Sequence, residues 1–273
     1  MKVVLITGAS SGIGRACSVH LHHLGYRVYG TSRYAAKAQD GGVSADSDGV
    51  PLLRMDLTDQ ASIASAIDQV WQLEGRLDVV VNNAGSGLAG AVEDTAITEA
   101  RAQLDTNFFG MVRVCQAVIP LMREQGSGLI VNISSMAGVV GIPFQSFYSA
   151  SKFAVEGFSQ ALRGEIRSSG IRVVVIRPGD FNTGFTANRK KLQPTAGSPH
   201  SQAYTTALGI MERDEASGPV PELIARQLAR LLASKSPPLY TTAGSISQRF
   251  LIALRLLMPM SIFERLIKAY YRL

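Results

Sequence analysis

The chain has 273 residues, 46% of them hydrophobic, which suits a large α/β domain with a sizeable core and excludes intrinsic disorder. Its net charge of +6 comes from 27 Lys and Arg against 21 Asp and Glu, scattered without a dense basic run, so no nucleic-acid partner is expected. Cys17 and Cys115 have neither metal-ligand nor disulfide-framework spacing, and the first residues lack the apolar run of a signal peptide. A cytoplasmic chain with reduced thiols and no metal is the expectation.

Val3–Ile6 is a short apolar run of the kind that forms a buried strand, and Gly8, Gly12 and Gly14 follow at once. Arg15–Leu21 then opens a helical pattern. Strand, glycine turn and helix in that order match a dinucleotide-binding turn, where glycine admits a pyrophosphate to the backbone and the helix start offers free N–H groups. The spacing G-x-x-x-G-x-G also occurs in purely structural turns. Tyr26–Thr31 reads as a second strand, ending in Ser32-Arg33, and residues 35–49 read as a surface loop. Pro51–Met55 is a third strand, followed by Asp56-Leu57, and Thr58 or Asp59 caps a helix to about Leu73. Leu77–Val81 is a fourth strand, closing on Asn82-Asn83-Ala84-Gly85.

A long helix is expected from Thr98 to about Arg123, with Asn107 inside it. Asparagine is unfavourable there, so Asn107 is either a tolerated polar position or part of a loosened turn used by a site. Gly128–Ile133 is a fifth strand ending in Ser134-Ser135. A second long helix runs from about Tyr148 to Ser168, and Ile171–Ile176 is a sixth strand stopping at Arg177-Pro178-Gly179. This alternation predicts a doubly wound, Rossmann-type parallel sheet, and every polar cluster named falls just after a strand, where such sheets bind ligands. Tyr148-Ser-Ala-Ser-Lys152 puts a phenol and an ammonium on one helix face.

In order and spacing, Thr7-Gly8-Ala9-Ser10-Ser11-Gly12-Ile13-Gly14, Asp56, Asn82–Gly85, Asn107, Ser135, Tyr148-x-x-x-Lys152 and Pro178-Gly179 resemble the short-chain dehydrogenase/reductase family, over residues 1 to about 185. The resemblance implies a reaction that interconverts a carbonyl and an alcohol with a nicotinamide cofactor. Tyr148 would be the acid–base group, its pKa lowered by Lys152 and by the positive nicotinamide of the oxidised cofactor; Ser135 would hold the reacting oxygen; Asn107 would position a water leading from Lys152 to solvent. Gly8, Ser10, Ser11, Gly12, Ile13 and Gly14 would hold the pyrophosphate, Asp56 and Leu57 the adenine, and Asn83, Ala84 and Gly85 the adenosine side. Pro178, Gly179 and Thr183 would pack on the nicotinamide. Arg33, where an NAD enzyme commonly has an acidic residue, suits a 2′-phosphate and points to NADP (NADPH), with NAD as the alternative. A homo-dimer or homo-tetramer formed through the two long helices is also implied.

Residues 180–219 read as a substrate-covering loop within a catalytic domain of residues 1–245. Its apolar residues, with Ile142, Pro143 and Phe144, suggest a small lipophilic carbonyl or alcohol of steroid, retinoid or similar type. Arg189, Lys190 and Lys191 read as a solvated basic run, with a clamp for a substrate carboxylate as the alternative. Pro221–Ala233 is a helix and Leu239–Thr241 a last strand. Residues 246–273 form an apolar, basic helical extension broken at Pro259, too short on either side to span a bilayer. It reads as a flap, a subunit contact or a peripheral membrane anchor. A non-catalytic NADPH-binding sensor or scaffold is the rival function; the intact Ser135, Tyr148 and Lys152 set speaks against it.

Overall fold

A computed structural model describes residues 1–35 and 44–273 of the chain. The strands, in chain order, are β1 (Val3–Ile6), β2 (Arg27–Ser32), β3 (Ser44–Ala45), β4 (Pro51–Arg54), β5 (Val79–Asn82), β6 (Leu88–Ala89), β7 (Gly128–Ile133), β8 (Ile171–Pro178), β9 (Lys190–Lys191) and β10 (Tyr240–Ala243). The helices are α1 (Gly12–His23), α2 (Gln60–Glu74), α3 (Ile97–Leu104), α4 (Gly110–Glu124), α5 (Ser146–Glu165), α6 (Phe185–Asn188), α7 (Ser201–Ala216), α8 (Glu222–Ala233), α9 (Ile246–Leu257) and α10 (Met260–Tyr271).

The main sheet has the order β10-β8-β7-β5-β1-β2-β4-β3. Seven strands are parallel, and only the two-residue β3 runs antiparallel, against β4. Because side chains alternate along a strand, Val3 and Leu5 of β1 point to one face and Val4 and Ile6 to the other. The first face is covered by α2, α4 and α5 through Ile63, Ile67, Val114, Val118 and Val155. The second is covered by α1 and α8 through Cys17, Leu21, Ile224 and Leu228. With both faces buried, the central strands β1, β5 and β7 are mostly apolar. One polar chain crosses the core: Asn82 Nδ2 donates to Asn132 Oδ1 at 2.8 Å, and Asn132 Nδ2 donates to Ser159 Oγ at 2.8 Å. These bonds tie β5, β7 and α5 together.

Two expected elements differ. The helix predicted from Thr98 is interrupted at Asp105–Phe109 by one π-helical turn between α3 and α4. Residues 180–219 are largely ordered rather than one loop, containing α6, β9 and α7. Part of the predicted loop 35–49 lies outside the described residues.

Beyond the sheet, α7 and α10 pack together over Ile142 and Phe144, with Ala207, Met211 and Tyr271 buried between them. Phe263, on α10, is only 2% exposed. Among the described residues, no helix is long and apolar enough to cross a membrane.

Candidate active site

The carboxyl ends of β1, β5, β7 and β8 deliver the predicted residues to one rim of the sheet. After β1 the chain turns with positive φ at Gly8 (66°) and Gly12 (54°), which glycine adopts without strain. The turn is locked from β5: Asn83 Nδ2 donates to the Thr7 and Gly8 carbonyls at 2.9 and 3.1 Å, and the Asn83 and Ala84 amides donate to Thr7 Oγ1 at 2.9 and 3.0 Å. A Cβ on Gly8 would stand 2.8 Å from Ala84 Cα. Asn83 and Ala84 therefore brace the glycine turn, a task the sequence did not disclose. Helix α1 starts at Gly12 with no side-chain cap, so its first N–H groups stay open, and Ser10 and Ser11 are exposed beside them. Thr183 lies across the turn, 3.5 Å from where a Gly12 Cβ would be. An uncapped helix start beside a glycine-containing turn with exposed Ser10 and Ser11 fits a dinucleotide pyrophosphate.

Arg33 is exposed at the end of β2, its guanidinium 5.5 Å from the Tyr34 ring centroid. Asp56 accepts from the Thr58 amide and hydroxyl at 2.9 and 2.8 Å. That backbone bond chiefly holds its carboxyl below the usual range, with the Arg33 and Arg54 charges helping. The buried Leu57 follows, and Asp59 caps α2 through the Ala61 amide.

The π turn places Asn107, 3% exposed, against the strand-end loop. Its Oδ1 accepts from the Ser86 amide at 2.8 Å, and its Nδ2 donates to the Ser86 carbonyl at 3.0 Å and to Ser151 Oγ at 3.2 Å. An ideal Cβ on Gly85 would meet Asn107 Oδ1 at 3.1 Å and Lys152 Nζ at 3.9 Å, so Gly85 keeps this corner open. Lys152 donates to the Ile133 carbonyl at 2.9 Å and lies 5.8 Å from the Tyr148 ring centroid. Ser135 caps the short turn after β7, accepting from the Ala137 amide at 3.1 Å. Pro178 ends β8, and the Gly179 amide donates to the Ala243 carbonyl at 2.7 Å.

The electrostatics correct one expectation. The protein's own groups do not lower Tyr148: burial pushes its phenol up to about 12, against the opposing effect of the nearby Ser135 hydroxyl. The same burial brings Lys152 down to about 8, with Glu156 working the other way. Glu156 is in turn held by a two-pronged pair with Arg177, at 3.0 and 2.8 Å, which sequence inspection missed because the partners lie on different elements.

A second correction concerns the basic run. Lys190 and Lys191 are exposed and paired with Glu99 and Glu212, but Arg189 is buried. The parallel β6–β9 pairing sets Lys190 against Leu88 and turns the preceding Arg189 inward. There it is ion-paired with Glu215 of α7, its guanidinium 5.5 Å from the Phe185 ring centroid. That ring lies 5.7 Å from the Tyr148 ring. Phe144, with a φ of 60°, stacks edge-on against Tyr204 and His200, bringing the predicted apolar residues over the same side.

Residues 2–194 match the family described as short chain dehydrogenase. The chain is 40% identical over 271 residues to a 3-ketodihydrosphingosine reductase of Bacteroides thetaiotaomicron, covering 99% of this chain and 98% of the relative. A short-chain dehydrogenase from Streptomyces avermitilis superposes with a TM-score of 0.80 at 32% identity, covering 98% of this chain and 97% of that one. A Burkholderia phymatum enzyme in complex with NAD shares the fold at a TM-score of 0.80 and 23% identity, with 94% and 93% covered. The chain is a member of the short-chain dehydrogenase/reductase family, oxidoreductases that act on CH–OH groups with a nicotinamide dinucleotide.

Proposed function

We propose that this protein reduces a long-chain, lipophilic ketone to its alcohol with NADPH. The observation that carries the reading is the buried Tyr148 phenol, flanked by Ser135 and Lys152 and roofed by Phe185 and the apolar cover of α7 and α10. The protonated phenol is the form that donates in the reduction direction.

The cofactor would supply the hydride to the carbonyl carbon. Tyr148 would give its proton to the carbonyl oxygen as negative charge develops there, and Ser135 would donate a hydrogen bond to the same oxygen. Lys152, anchored on Ile133, would hold positive charge near the phenol, and Asn107 would keep the Gly85–Ser86 corner and α5 in register. The open start of α1 with Gly8–Gly14 would hold the pyrophosphate, Asp56 and Leu57 the adenine, and Pro178, Gly179 and Thr183 the nicotinamide. Arg33, exposed at the end of β2, would face a 2′-phosphate. Support for a long-chain substrate comes from the apolar cover and from the 40% identical relative's name.

Two further readings belong to the surface. Phe109 and Phe153, exposed on the two long helices, would be buried in a homo-oligomer. The outward face of α9 and α10 exposes Phe250, Leu257, Ile262 and Leu266 among Arg249, Arg265 and Lys268, a pattern suited to resting on a lipid surface from which the substrate comes.

The test is NADPH oxidation over long-chain ketones, with NADH in parallel. Tyr148→Phe should lose about 10²–10⁴-fold in turnover while still binding NADPH. Arg33→Ala should raise the KM for NADPH about tenfold or more and leave that for NADH unchanged. Tight NADPH binding with no turnover of any ketone or alcohol would sink the enzyme reading.

A further inference from the structure

Gln248, in the first turn of α9, does two things at once. Its Oε1 accepts from the Ser245 amide at 3.2 Å while its own amide donates to Ser245 Oγ at 3.3 Å, a reciprocal cap that starts α9. Its Nε2 donates at 2.6 Å to Oδ2 of Asp180, the residue after Gly179. The backbones are joined at the same place. Pro178 of β8 pairs with Ala243 of β10, and the Gly179 amide donates to the Ala243 carbonyl. The space where a Cβ on Gly179 would stand is taken by Gln248 Oε1 and by Sδ of Met136, which follows Ser135. A Cβ on Gly244 would stand 2.6 Å from the same Oε1. Ile246 and Phe250 are 86% and 65% exposed, so the start of α9 is held by these polar bonds more than by apolar packing.

Asp180 needs such a donor. Burial and the carboxylates of Glu215 and Asp214 on α7 push it up to about 6, while the Gln248 bond and the Arg189 charge work the other way. Without the Gln248 amide, an ionised Asp180 would be repelled by Glu215 and Asp214 and would carry Gly179 with it. Resting on the assignment of Gly179 to the nicotinamide in the ketone reductase reading, we propose that Gln248 is a positioning residue: it clamps Gly179 and Asp180 against α9 so that the nicotinamide lies where hydride transfer to the carbonyl carbon requires it. The pyrophosphate turn is braced separately, by Asn83 and Thr7. Dinucleotide affinity and the rate of hydride transfer therefore depend on different residues, and the segment after β10 is part of the reacting site.

The test follows NADPH binding to the full chain by calorimetry and by NADPH emission, and reduction of saturated long-chain ketones by NADPH absorbance. All are measured at about pH 8, where Asp180 is ionised. Gln248→Glu keeps the acceptor that caps α9 but sets a second carboxylate against Asp180. Its kcat should fall about tenfold to a hundredfold while the Kd for NADPH stays within about threefold, because the cofactor is held but its reacting end is misplaced. The isotope effect with NADPH deuterated at the transferred position should rise, and the enhancement of NADPH emission on binding, which reports the nicotinamide end, should shrink. Gln248→Leu, which adds no charge, should lose as much. Adding Asp180→Asn to Gln248→Glu restores a donor–acceptor pair of reversed sense, so kcat should return to within about fivefold of the natural chain and the emission should recover. Single variants that leave kcat and emission unchanged, a double variant with no recovery, or a Kd that rises in step with the loss of kcat overturns this inference and leaves the ketone reductase reading standing. A chain that reduces no ketone but shows the emission pattern overturns that reading alone, and one that binds no NADPH overturns both.

Discussion

The Thr7–Gly14 turn and the cover formed by residues 180–273 meet at Thr183, but they are held by different means. The turn is fixed by backbone groups and short polar side chains: Asn83, Thr7 and the positive φ of Gly8 and Gly12 define it within a few ångströms. The cover is fixed by long side chains reaching between elements far apart in sequence, such as Arg189 to Glu215, Phe144 to Tyr204 and Tyr270 to Asp214. The first kind of construction tolerates almost no change in shape. The second can be loosened piece by piece, which suits a surface that must admit a substrate.

The sharpest way to break this contrast is to damage each side once. Phe263→Ala removes a fully buried ring beneath α10 and should cost about 3–5 kcal/mol of local packing. Limited proteolysis should then cut the α9–α10 segment faster, with dinucleotide affinity unchanged. Gly14→Ala should do the reverse. Its Cβ would lie 2.2 Å from the Gly8 carbonyl oxygen, so the turn must shift, and dinucleotide affinity should fall about a hundredfold with α10 still protected. A Phe263→Ala chain that loses the dinucleotide as readily as substrate would show that the two regions are one unit.

What the sequence disclosed follows the same division. Strand–turn–helix junctions are local, so β1, β5, β7 and β8 and the polar residues at their ends could be placed from Val3–Ile6, Asn82–Gly85, Ser135 and Pro178 alone. Arg189 could not. Whether it points inward depends on β9 pairing with β6, across a hundred residues, and in sequence it is one of three adjacent cations. The ionisation of Tyr148 was misjudged for a related reason: adjacency to Lys152 is visible in sequence, but the burial that raises one pKa and lowers the other is not. Likewise, α7 lay hidden because its apolar face meets α10 and Ile142 rather than the main sheet.

A smaller effect tests the buried pair directly. Lys152 titrates near 8 when folded and near 10.5 when unfolded, so between these values the unfolded chain binds more protons and stability rises with pH. From pH 8 to 9 Lys152 alone should add about 1 kcal/mol, while the thiols of Cys17 and Cys115, near 9.0 unfolded and pushed up to about 12 by burial, oppose it over the same range. Denaturant titrations of the natural chain and of Lys152→Met, which should be inactive, should therefore differ in slope by that amount, the thiol contribution being common to both. The smallest effect belongs to Gly209, inside α7 with nothing within 4 Å of an added Cβ. Gly209→Ala should stabilise the cover by about 0.5–1 kcal/mol, measured as slower proteolysis of α7.

The π turn at Asp105–Phe109 has a consequence for how this chain can change length. A π turn holds one residue more than the α turn it replaces. Deleting any single residue there would let the helix relax to regular α geometry with α3 and α4 nearly in phase, removing the local bulge that presents Asn107. Asn107 would leave Ser86 and Ser151, although every remaining residue would be a native one. The stretch is therefore intolerant of a one-residue gap, so insertions and deletions should be absent from it in any working variant of this chain.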